Sequence, residues 1–382
     1  MSRGGRHRFA SFTALVGAVA LAALTAQTAL AVHAVFDNNP FTSGSDVVTG
    51  FSSGSSTVCN VGGLGNQMEG PVGLLNDGTH FFVDDLCAQT LYRLPATGGV
   101  ITSSTPHLKN GLTGGLTKVG STYYGLIQNK QFPAPAPGGR NAGLYSFNPT
   151  TLAVTYIVSF TGDSTAAGTH DRGVAGDPAG KNLYVSTDHG IFKVTLPGHV
   201  VTRFDKCTPP KTSPPCSGNF DGITLSTSGA IVYAADPQVN SNLVEFNLTG
   251  TPTHATQIAG GVKEGSDGIV VAPPGSTPNG KNVSGNVFIN TNDGHVQRYT
   301  GPGSVSEAAR GGTRGDLATT DPKGCVYVTQ TGSIEKLLPC LTGPNPSIPE
   351  VPALPLVPLA GGLAIAAFWR GRRLRVARAT PR

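Results

Sequence analysis

The 382-residue sequence predicts an all-β protein, a six-bladed β-propeller, and three observations lead to this fold class. The 52 glycines and 29 prolines favour turns, whereas only 13% of the residues are charged, a composition that disfavours long surface helices. Short apolar segments recur six times along the chain. Residues within and after these segments alternate with period two, which is the pattern of β-strands.

The repeat has a nearly constant length. Its apolar segments follow Gly, Asp or Glu, and corresponding positions are separated by 43, 58, 49, 46 and 48 residues. The long second step contains a Pro- and Gly-rich insertion at 131–143, so the underlying period is shorter there. A period in the forties indicates propeller blades or solenoid units. The corresponding positions are Gly73, Leu116, Val174, Ile223, Ile269 and Leu317.

Each unit continues with two further strand-like segments. In the first unit these read THFFVDD and TLYRLP, and in the fifth GNVFINT and HVQRYT. Six units of about four strands each predict a propeller over residues 60–340, and segment 32–59 is expected to add an outer strand that closes the ring. Two all-β sandwiches are the alternative, but they do not account for the sixfold repetition.

Residues 1–31 have the layout of a secretory signal peptide. Basic residues lie within positions 2–8, an Ala-rich apolar run covers 12–26, and Ala29, Leu30 and Ala31 fit the small-x-small cleavage pattern. We therefore expect the protein to be exported and cleaved after Ala31.

The C-terminal segment predicts surface anchoring. A Pro-rich linker at 341–350 leads into 351–382, where 19 uncharged residues end at Trp369 and an Arg-rich tail follows. An apolar helix of that length, about 28 Å, matches the bilayer core, and the arginines would stay cytoplasmic. The layout resembles the C-terminal sorting signals of bacterial surface proteins, of the Pro-Glu-Pro type, with Val351 in place of the second Pro. We expect an extracellular protein that this segment anchors to the membrane or cell surface.

The charge distribution argues against nucleic-acid binding. Basic residues cluster at both ends, and residues 35–340 contain 18 basic and 21 acidic residues. Such a weakly acidic body lacks the basic surface that contacts phosphates. The expected partner is instead a small-molecule substrate or a surface ligand, and the protein is expected to be a monomer.

The six cysteines suit an oxidising compartment. None forms a CxxC metal pattern, so three disulfides are expected, with fifteen connectivities possible. The best pair flanks a Pro-rich loop, and two more pairs follow from proximity in sequence. These pairs are Cys207–Cys216, Cys325–Cys340 and Cys59–Cys87.

Four motifs carry a family resemblance. Glu69-Gly-Pro followed by DGTHFFVDDLCAQTLYRLPATGG resembles the first blade of the senescence-marker/gluconolactonase family, the regucalcin type. The segments HDRGVAGDPAGKNLYVST, FDGITLSTSGAIVYAAD and SDGIVVAP with NVFINTNDGHVQRY follow in the order of the family's motifs. The resemblance covers most of residues 60–340.

The resemblance implies a metal site in the central channel. It implies one divalent cation, calcium, held by Glu69, Asp221 and Asp267. Asp171 stands where the family has a substrate contact, and the adjacent His170 is a second candidate for substrate binding. Asp267 and Asp171 are the candidate catalytic carboxylates.

The chemistry of this site also follows from propeller geometry. Radial blades bring the first residues of successive inner strands together around one axis, where carboxylates repel unless a hard, oxygen-binding cation such as calcium neutralises them. The alternative reading is that each Asp only caps an Asp-Gly turn. Arg314, Gly315 and Asp316 lie where the sixth inner strand begins, so we expect them to be buried or channel-facing.

Three functions remain open on the sequence. The first is a calcium-dependent hydrolase of lactones or esters. The second is a non-catalytic cell-surface propeller that binds a ligand or protein on its face. The third is a lyase similar to the streptogramin-inactivating propellers, a group that has a catalytic His and usually seven repeats.

Overall fold

The computed structural model describes residues 33, 35–36, 40–51, 70–86, 88–127, 142–160, 171–187, 190–204, 220–236, 242–248, 255–259, 262 and 265–341. Contacts divide the chain into Met1–Gly343 and Pro344–Arg382, and every described residue belongs to the first unit. Within the described residues there is no α-helix, and none of the elements is a helix long and apolar enough to cross a membrane.

The described strands form six small sheets, which confirms the predicted all-β, six-bladed propeller. Blade 1 contains β3 (Pro71–Asn76), β4 (His80–Asp85), β5 (Thr90–Pro95) and β7 (His107–Lys109). Blade 2 contains β8 (Leu116–Val119), β9 (Thr122–Ile127), β10 (Gly143–Phe147) and β11 (Val154–Val158). Blade 3 contains β12 (Asp171–Gly176), β13 (Asn182–Thr187), β14 (Gly190–Thr195) and β15 (Val201–Arg203).

The remaining three blades follow in chain order. Blade 4 contains β16 (Ile223–Leu225), β17 (Ile231–Asp236), β18 (Asn242–Asn247) and β19 (Ala255–Ala259). Blade 5 contains β20 (Ser266–Val271), β21 (Val287–Thr291), β22 (His295–Gly301), β23 (Ser304–Arg310) and β1 (Val35–Phe36). Blade 6 contains β24 (Ala318–Thr320), β25 (Val326–Gln330), β26 (Ser333–Leu338), β2 (Ser43–Thr49) and β6 (Gly99–Val100). A short 3-10 turn covers Pro278–Gly280.

The inner strands of the six blades lie at one edge of each sheet and contact one another around the ring: β3, β8, β12, β16, β20 and β24. The long sequence step lies between β9 and β10 of one sheet, so the insertion lengthens a hairpin and adds no blade. Blades 5 and 6 each have five strands where about four were expected. The extra strands, β1 and β6, are two-residue segments on the outer edges.

The core lies between the blades. Each hydrophobic cluster combines residues of neighbouring sheets; one cluster, for example, packs Tyr184 and Ile191 of blade 3 against Val232 and Phe246 of blade 4. Alternation along each strand places apolar side chains in these interfaces, where burial of one such side chain contributes about 1.5–3 kcal/mol. The ring is therefore held by contacts between blades as well as within them.

The N-terminal part of the chain joins the last two blades. β2 pairs antiparallel with β26 of blade 6, and the preceding β1 pairs with β23 of blade 5. The structure contains the predicted Cys325–Cys340 disulfide, which links the start of β25 to the chain just after β26. The other four predicted disulfide cysteines lie outside the described residues, and their pairing stays a prediction.

Candidate channel site

Glycines allow the inner strands to pack closely around the axis. A Cβ added to Gly173 of blade 3 would lie 2.7 Å from the Asp221 carbonyl oxygen of blade 4. A Cβ on Gly222 would overlap the Asp267 carbonyl of blade 5, and one on Gly268 would lie 2.6 Å from Leu317 Cα of blade 6. Backbones that approach this closely leave no room for side chains, so the Asp-Gly pattern reflects the packing of inner strands.

The residue just before each of these glycines therefore occupies an equivalent place in each blade. In blades 1, 3 and 5 the register with the second strand shifts at this residue, as at a β-bulge, which redirects the side chain. The equivalent residues are Val72, Gly114, Arg172, Asp221 and Asp267, and Asp316 occupies the corresponding place before Leu317 in blade 6. Charged side chains thus occupy these places in blades 3–6, whereas blades 1 and 2 have Val and Gly there.

We use the term channel cluster for Arg172, Asp221, Asp267, Arg314 and Asp316. Its members lie at the beginnings of four consecutive inner strands and contact one another from blade to blade. Arg172 forms an ion pair with Asp221, the carboxyl group of Asp221 lies near enough to that of Asp267 for their charges to interact, and Arg314 Nη2 lies 3.8 Å from Asp267 Oδ2. The cluster is a continuous arc of two arginines and three aspartates, in which the acidic side chains of Asp221 and Asp267 are neighbours.

Asp267 is the most buried member of the cluster. The residue is only 5% exposed, and its Oδ1 atom is buried without a hydrogen-bond partner. Burial raises the pKa of this carboxyl well above its usual value, and the nearby charges of Asp221 and Asp316 raise it further. Arg314 opposes the shift. The protonated form of Asp267 is therefore favoured relative to that of a solvent-exposed Asp.

Arg314 balances the acidic side of the arc. Its Nη2 donates to Asp316 Oδ1 at 2.9 Å, and Nε lies 3.3 Å from the same oxygen. Burial acts to lower the pKa of Arg314, but the carboxylates of Asp316 and Asp267 more than offset this, so the pKa is raised. The guanidinium group is therefore a fixed positive charge beside Asp267.

Polar residues on the second strands bind the backbone of the inner strands, either of the next blade or of their own blade. Ser186 of blade 3 donates to the Asp221 carbonyl of blade 4. Asn290 of blade 5 donates to the Leu317 carbonyl of blade 6 at 3.2 Å. In blade 6, Thr329 Oγ1 accepts the backbone N–H groups of Asp316 and Leu317, both at 2.9 Å. These bonds fix the backbone that carries the cluster.

In blade 1, Asp84 occupies the second-strand position that Ser186 and Asn290 occupy in blades 3 and 5. It lies opposite Gly73, it is fully buried, and neither carboxylate oxygen has a hydrogen-bond partner. Burial raises the pKa of Asp84 well above its usual value; the nearby N–H of Gly114 opposes the shift and Asp85 adds to it. A carboxyl group whose ionised form is strongly disfavoured by burial therefore lies between the first two blades.

The structure brings two of the three predicted metal ligands, Asp221 and Asp267, into contact. The third, Glu69, lies outside the described residues, as does His170. Asp171 begins β12 and pairs with Thr187, and only its backbone is described. Within the described part of the chain, no group of three or more His, Cys, Asp or Glu residues is arranged to hold a metal ion. The metal, substrate and catalytic assignments stay predictions.

Sequence reasoning missed the role of Arg172. It assigned a role to Asp171 through the family resemblance and gave none to the neighbouring Arg172. The repeat alignment itself places Arg172 at the position of Asp221 and Asp267, because DRG matches FDG and SDG. The same alignment places a cation next to Asp221. Arg314 and Asp316 lie in the channel cluster, with side chains 12% and 16% exposed, where a buried or channel-facing position was expected.

Comparison with known proteins identifies the architecture. No family model matches the chain, and no curated protein matches it. Among solved structures, a calcium-binding protein, regucalcin, from Agrobacterium tumefaciens has a TM-score of 0.51 and 18% identity over 76% of this chain and 95% of that one. A gluconolactonase from Xanthomonas campestris has a TM-score of 0.50 and 11% identity over 78% and 95%. An auxiliary nutrient binding protein from Bacteroides thetaiotaomicron has a TM-score of 0.51 and 13% identity over 77% and 75%.

The similar structures include the gluconolactonase and regucalcin type to which the sequence shows a resemblance. At identities of 11–18% the likeness shows a shared propeller fold. Activity has to be argued from the channel cluster.

Proposed function

We propose that the protein is an exported propeller whose channel cluster binds a divalent cation, calcium, and hydrolyses a lactone or ester. One observation carries the proposal: the buried Asp267 carboxyl, with Oδ1 unpartnered, lies against a second carboxylate, that of Asp221. Two carboxylates in contact inside a protein need either a shared proton or a cation.

The residues of the cluster fit a hard cation. Calcium prefers oxygen ligands in irregular arrangements, and Asp221 and Asp267 offer carboxylate oxygens of which Asp267 Oδ1 has no other use. Glu69, which precedes the first inner strand in sequence, would complete the predicted ligand set. A metal that prefers nitrogen or sulfur ligands, such as zinc, is not favoured, because the channel cluster contains neither His nor Cys.

The side chains supply acid–base chemistry around such a cation. When bound, a divalent cation polarises a carbonyl group and stabilises the oxyanion formed by attack of water. Asp267 is suited to take the proton from that water, because its buried Oδ1 atom has no other hydrogen-bond partner. Arg172 and Arg314 provide positive charge on either side of the carboxylates and can orient an anionic or polar substrate. Asp171 and His170 are proposed substrate contacts from the preceding connection.

The similar structures support this class of function, since one is a gluconolactonase and another a calcium-binding regucalcin. A second candidate, a non-catalytic binding propeller, is favoured by a different observation. Arg172 and Arg314 already neutralise Asp221 and Asp316 through ion pairs, so two of the three carboxyl groups of the cluster are compensated without a metal. The likeness to a nutrient binding protein points the same way.

A substrate screen separates the two candidates. Aldonolactones and aryl esters are incubated with the protein in calcium and then in chelator, alongside Asp267→Asn and the control Asp293→Asn. Asp293 lies on the β21–β22 turn with 37% side-chain exposure, outside the channel cluster. The hydrolase proposal predicts calcium-dependent turnover that only the Asp267 variant loses. Absence of turnover across the panel, with saturable binding of a ligand, would favour the binding propeller.

The location of the protein is part of the proposal. The N-terminal signal layout and the C-terminal apolar segment with its Arg tail support export and surface anchoring. Fractionation is expected to find chains beginning at Val32 in the membrane or surface fraction. Full-length protein with an intact N-terminus in the cytosol would contradict this.

A further inference from the structure

His33, in the N-terminal segment that precedes β1, is buried against the last blade. Its Nδ1 atom lies 2.6 Å from Glu335 Oε2, and its backbone N–H lies 3.2 Å from both Glu335 oxygens. Both side chains are 0% exposed. Glu335 belongs to β26, so this contact joins positions 302 residues apart in sequence. With cleavage after Ala31, His33 would be the second residue of the exported chain.

The other edge of the His33 ring lies beneath the connection from blade 5 to blade 6. A Cβ added to Gly312 would lie 2.8 Å from His33 Nε2 and 2.5 Å from Gln330 Oε1. Only a residue without a side chain allows the backbone to pass this close to the ring. The ring therefore packs against the backbone of this connection at Gly312.

This connection carries Arg314, and its backbone is held on both sides. The Gly312 N–H donates to the Gly294 carbonyl at 3.1 Å, and the Thr313 N–H donates to Gln330 Oε1 at 2.6 Å. The Gly315 N–H donates to the backbone of β21 at 3.3 Å. Arg314 lies between these anchored residues.

We propose that His33 is a positioning residue for Arg314, which makes the N-terminal segment a part of the channel cluster. Arg314 meets Asp267 at 3.8 Å and Asp316 at 2.9 Å, so a small displacement of its backbone breaks one contact or both. His33 supports that backbone at Gly312 and is itself fixed by Glu335. The proposal concerns the described contacts and does not depend on bound calcium.

Ring closure does not account for this buried polar pair. β2 closes blade 6 through six paired positions with β26, and Phe41 fills the core against Phe288 with ring centroids 5.2 Å apart. An imidazole and a carboxylate excluded from water cost free energy of desolvation that an apolar residue at position 33 would avoid. Because His33 and Glu335 lie under the connection that carries Arg314, we assign the pair the role of supporting the backbone of that connection.

The test compares His33→Ala with Phe41→Leu, a control in the same N-terminal segment. All measurements are made in chelator, so the result is independent of the proposed hydrolase activity. Because Ala at position 33 leaves the buried Glu335 carboxylate without its partner, His33→Asn is the second variant. Its amide nitrogen donates at the place of Nδ1 but puts no ring beneath Gly312.

Two readouts report on the connection. Hydrogen–deuterium exchange follows the peptide 311–317, and nitrogen-15 spectra of labelled arginine follow the Arg314 Nε–H group, which Arg314→Gln assigns. In both His33 variants we expect exchange of this peptide to become about tenfold faster, as for the loss of one hydrogen bond, and the Arg314 resonance to shift or broaden. Phe41→Leu should lower the melting temperature and leave both readouts as in the wild type.

Two results would overturn the proposal. In the first, His33→Asn folds, and its 311–317 peptide exchanges no faster than that of Phe41→Leu. In the second, the Arg314 resonance is the same in His33→Asn and the wild type. A His33→Ala chain that fails to fold leaves the decision to the Asn variant.

Discussion

Replacement of Asp267 by Asn tests the electrostatics of the channel cluster. Asp267 is buried, one of its oxygens has no partner, and the nearby charges of Asp221 and Asp316 make its ionised form unfavourable. The amide of Asn carries no charge, and its nitrogen can donate to the Asp221 carboxylate at any pH. We therefore expect Asp267→Asn to be more stable than the wild type in chelator at pH 8.

The sign and size of the effect follow from proton linkage. The pKa of Asp267 lies above its ordinary value of 3.8 in the folded state, so the folded protein binds more protons than the unfolded chain from pH 3.8 up to the raised pKa. Stability therefore falls as pH rises through this window and stays reduced above it. A buried, poorly paired polar group costs about 1–3 kcal/mol, and each kcal/mol moves the melting temperature of a domain this large by roughly 2–4 °C.

The assay is thermal unfolding in chelator at pH 4 and pH 8, with Asp293→Asn as the control. The wild type and Asp267→Asn should melt at similar temperatures at pH 4, and Asp267→Asn should melt several degrees higher than the wild type at pH 8. The control should follow the wild type at both pH values. If Asp267→Asn is less stable than the wild type at pH 8, then Arg314 holds Asp267 as a favourable ion pair, and the argument from burial is wrong.

Three further predictions concern the arc and its frame. Arg172→Gln removes the ion pair to Asp221, so calcium need not displace a guanidinium group. Calorimetry should find that calcium binds about tenfold more tightly to this variant than to the wild type, and unchanged or weaker binding would contradict this. Gly222→Ala forces a methyl group against the backbone of the next inner strand and should lower the free energy of unfolding in urea by about 1–3 kcal/mol, whereas a wild-type value would show that the strands have room to separate. Replacement of Cys325 and Cys340 by Ala opens a loop with a sequence separation of 15 and should cost about 3 kcal/mol in the same assay, whereas an unchanged free energy of unfolding would contradict this.

The fold was predictable from the sequence because its determinants are local and repeated. Strand alternation recurs in every unit and Gly-centred segments recur in the first five, and the structure shows that glycines such as Gly173 and Gly222 permit close packing of inner strands. The proximity of Asp221 and Asp267 follows from the same repetition. The Cys325–Cys340 pair was accessible because its cysteines are close in sequence.

The remaining features of the cluster depend on contacts that sequence does not display. Arg172 was passed over because its neighbour Asp171 matched the expected residue type, and the bulge that distinguishes their directions is a property of strand pairing. The burial of His33 against Glu335 depends on how the N-terminal segment crosses two blades. No local pattern around His33 indicates a partner 302 residues away.

The central claim is that Asp221 and Asp267 share a divalent cation, and anomalous diffraction from crystals grown in calcium tests it most directly. The account predicts an anomalous peak about 2.3–2.6 Å from carboxylate oxygens of both residues, with Arg172 moved away from Asp221. Absence of an anomalous peak at this position in calcium-saturated crystals, with the Arg172–Asp221 and Arg314–Asp316 ion pairs intact, would contradict the metal site. The non-catalytic binding propeller would then be the better account of the function.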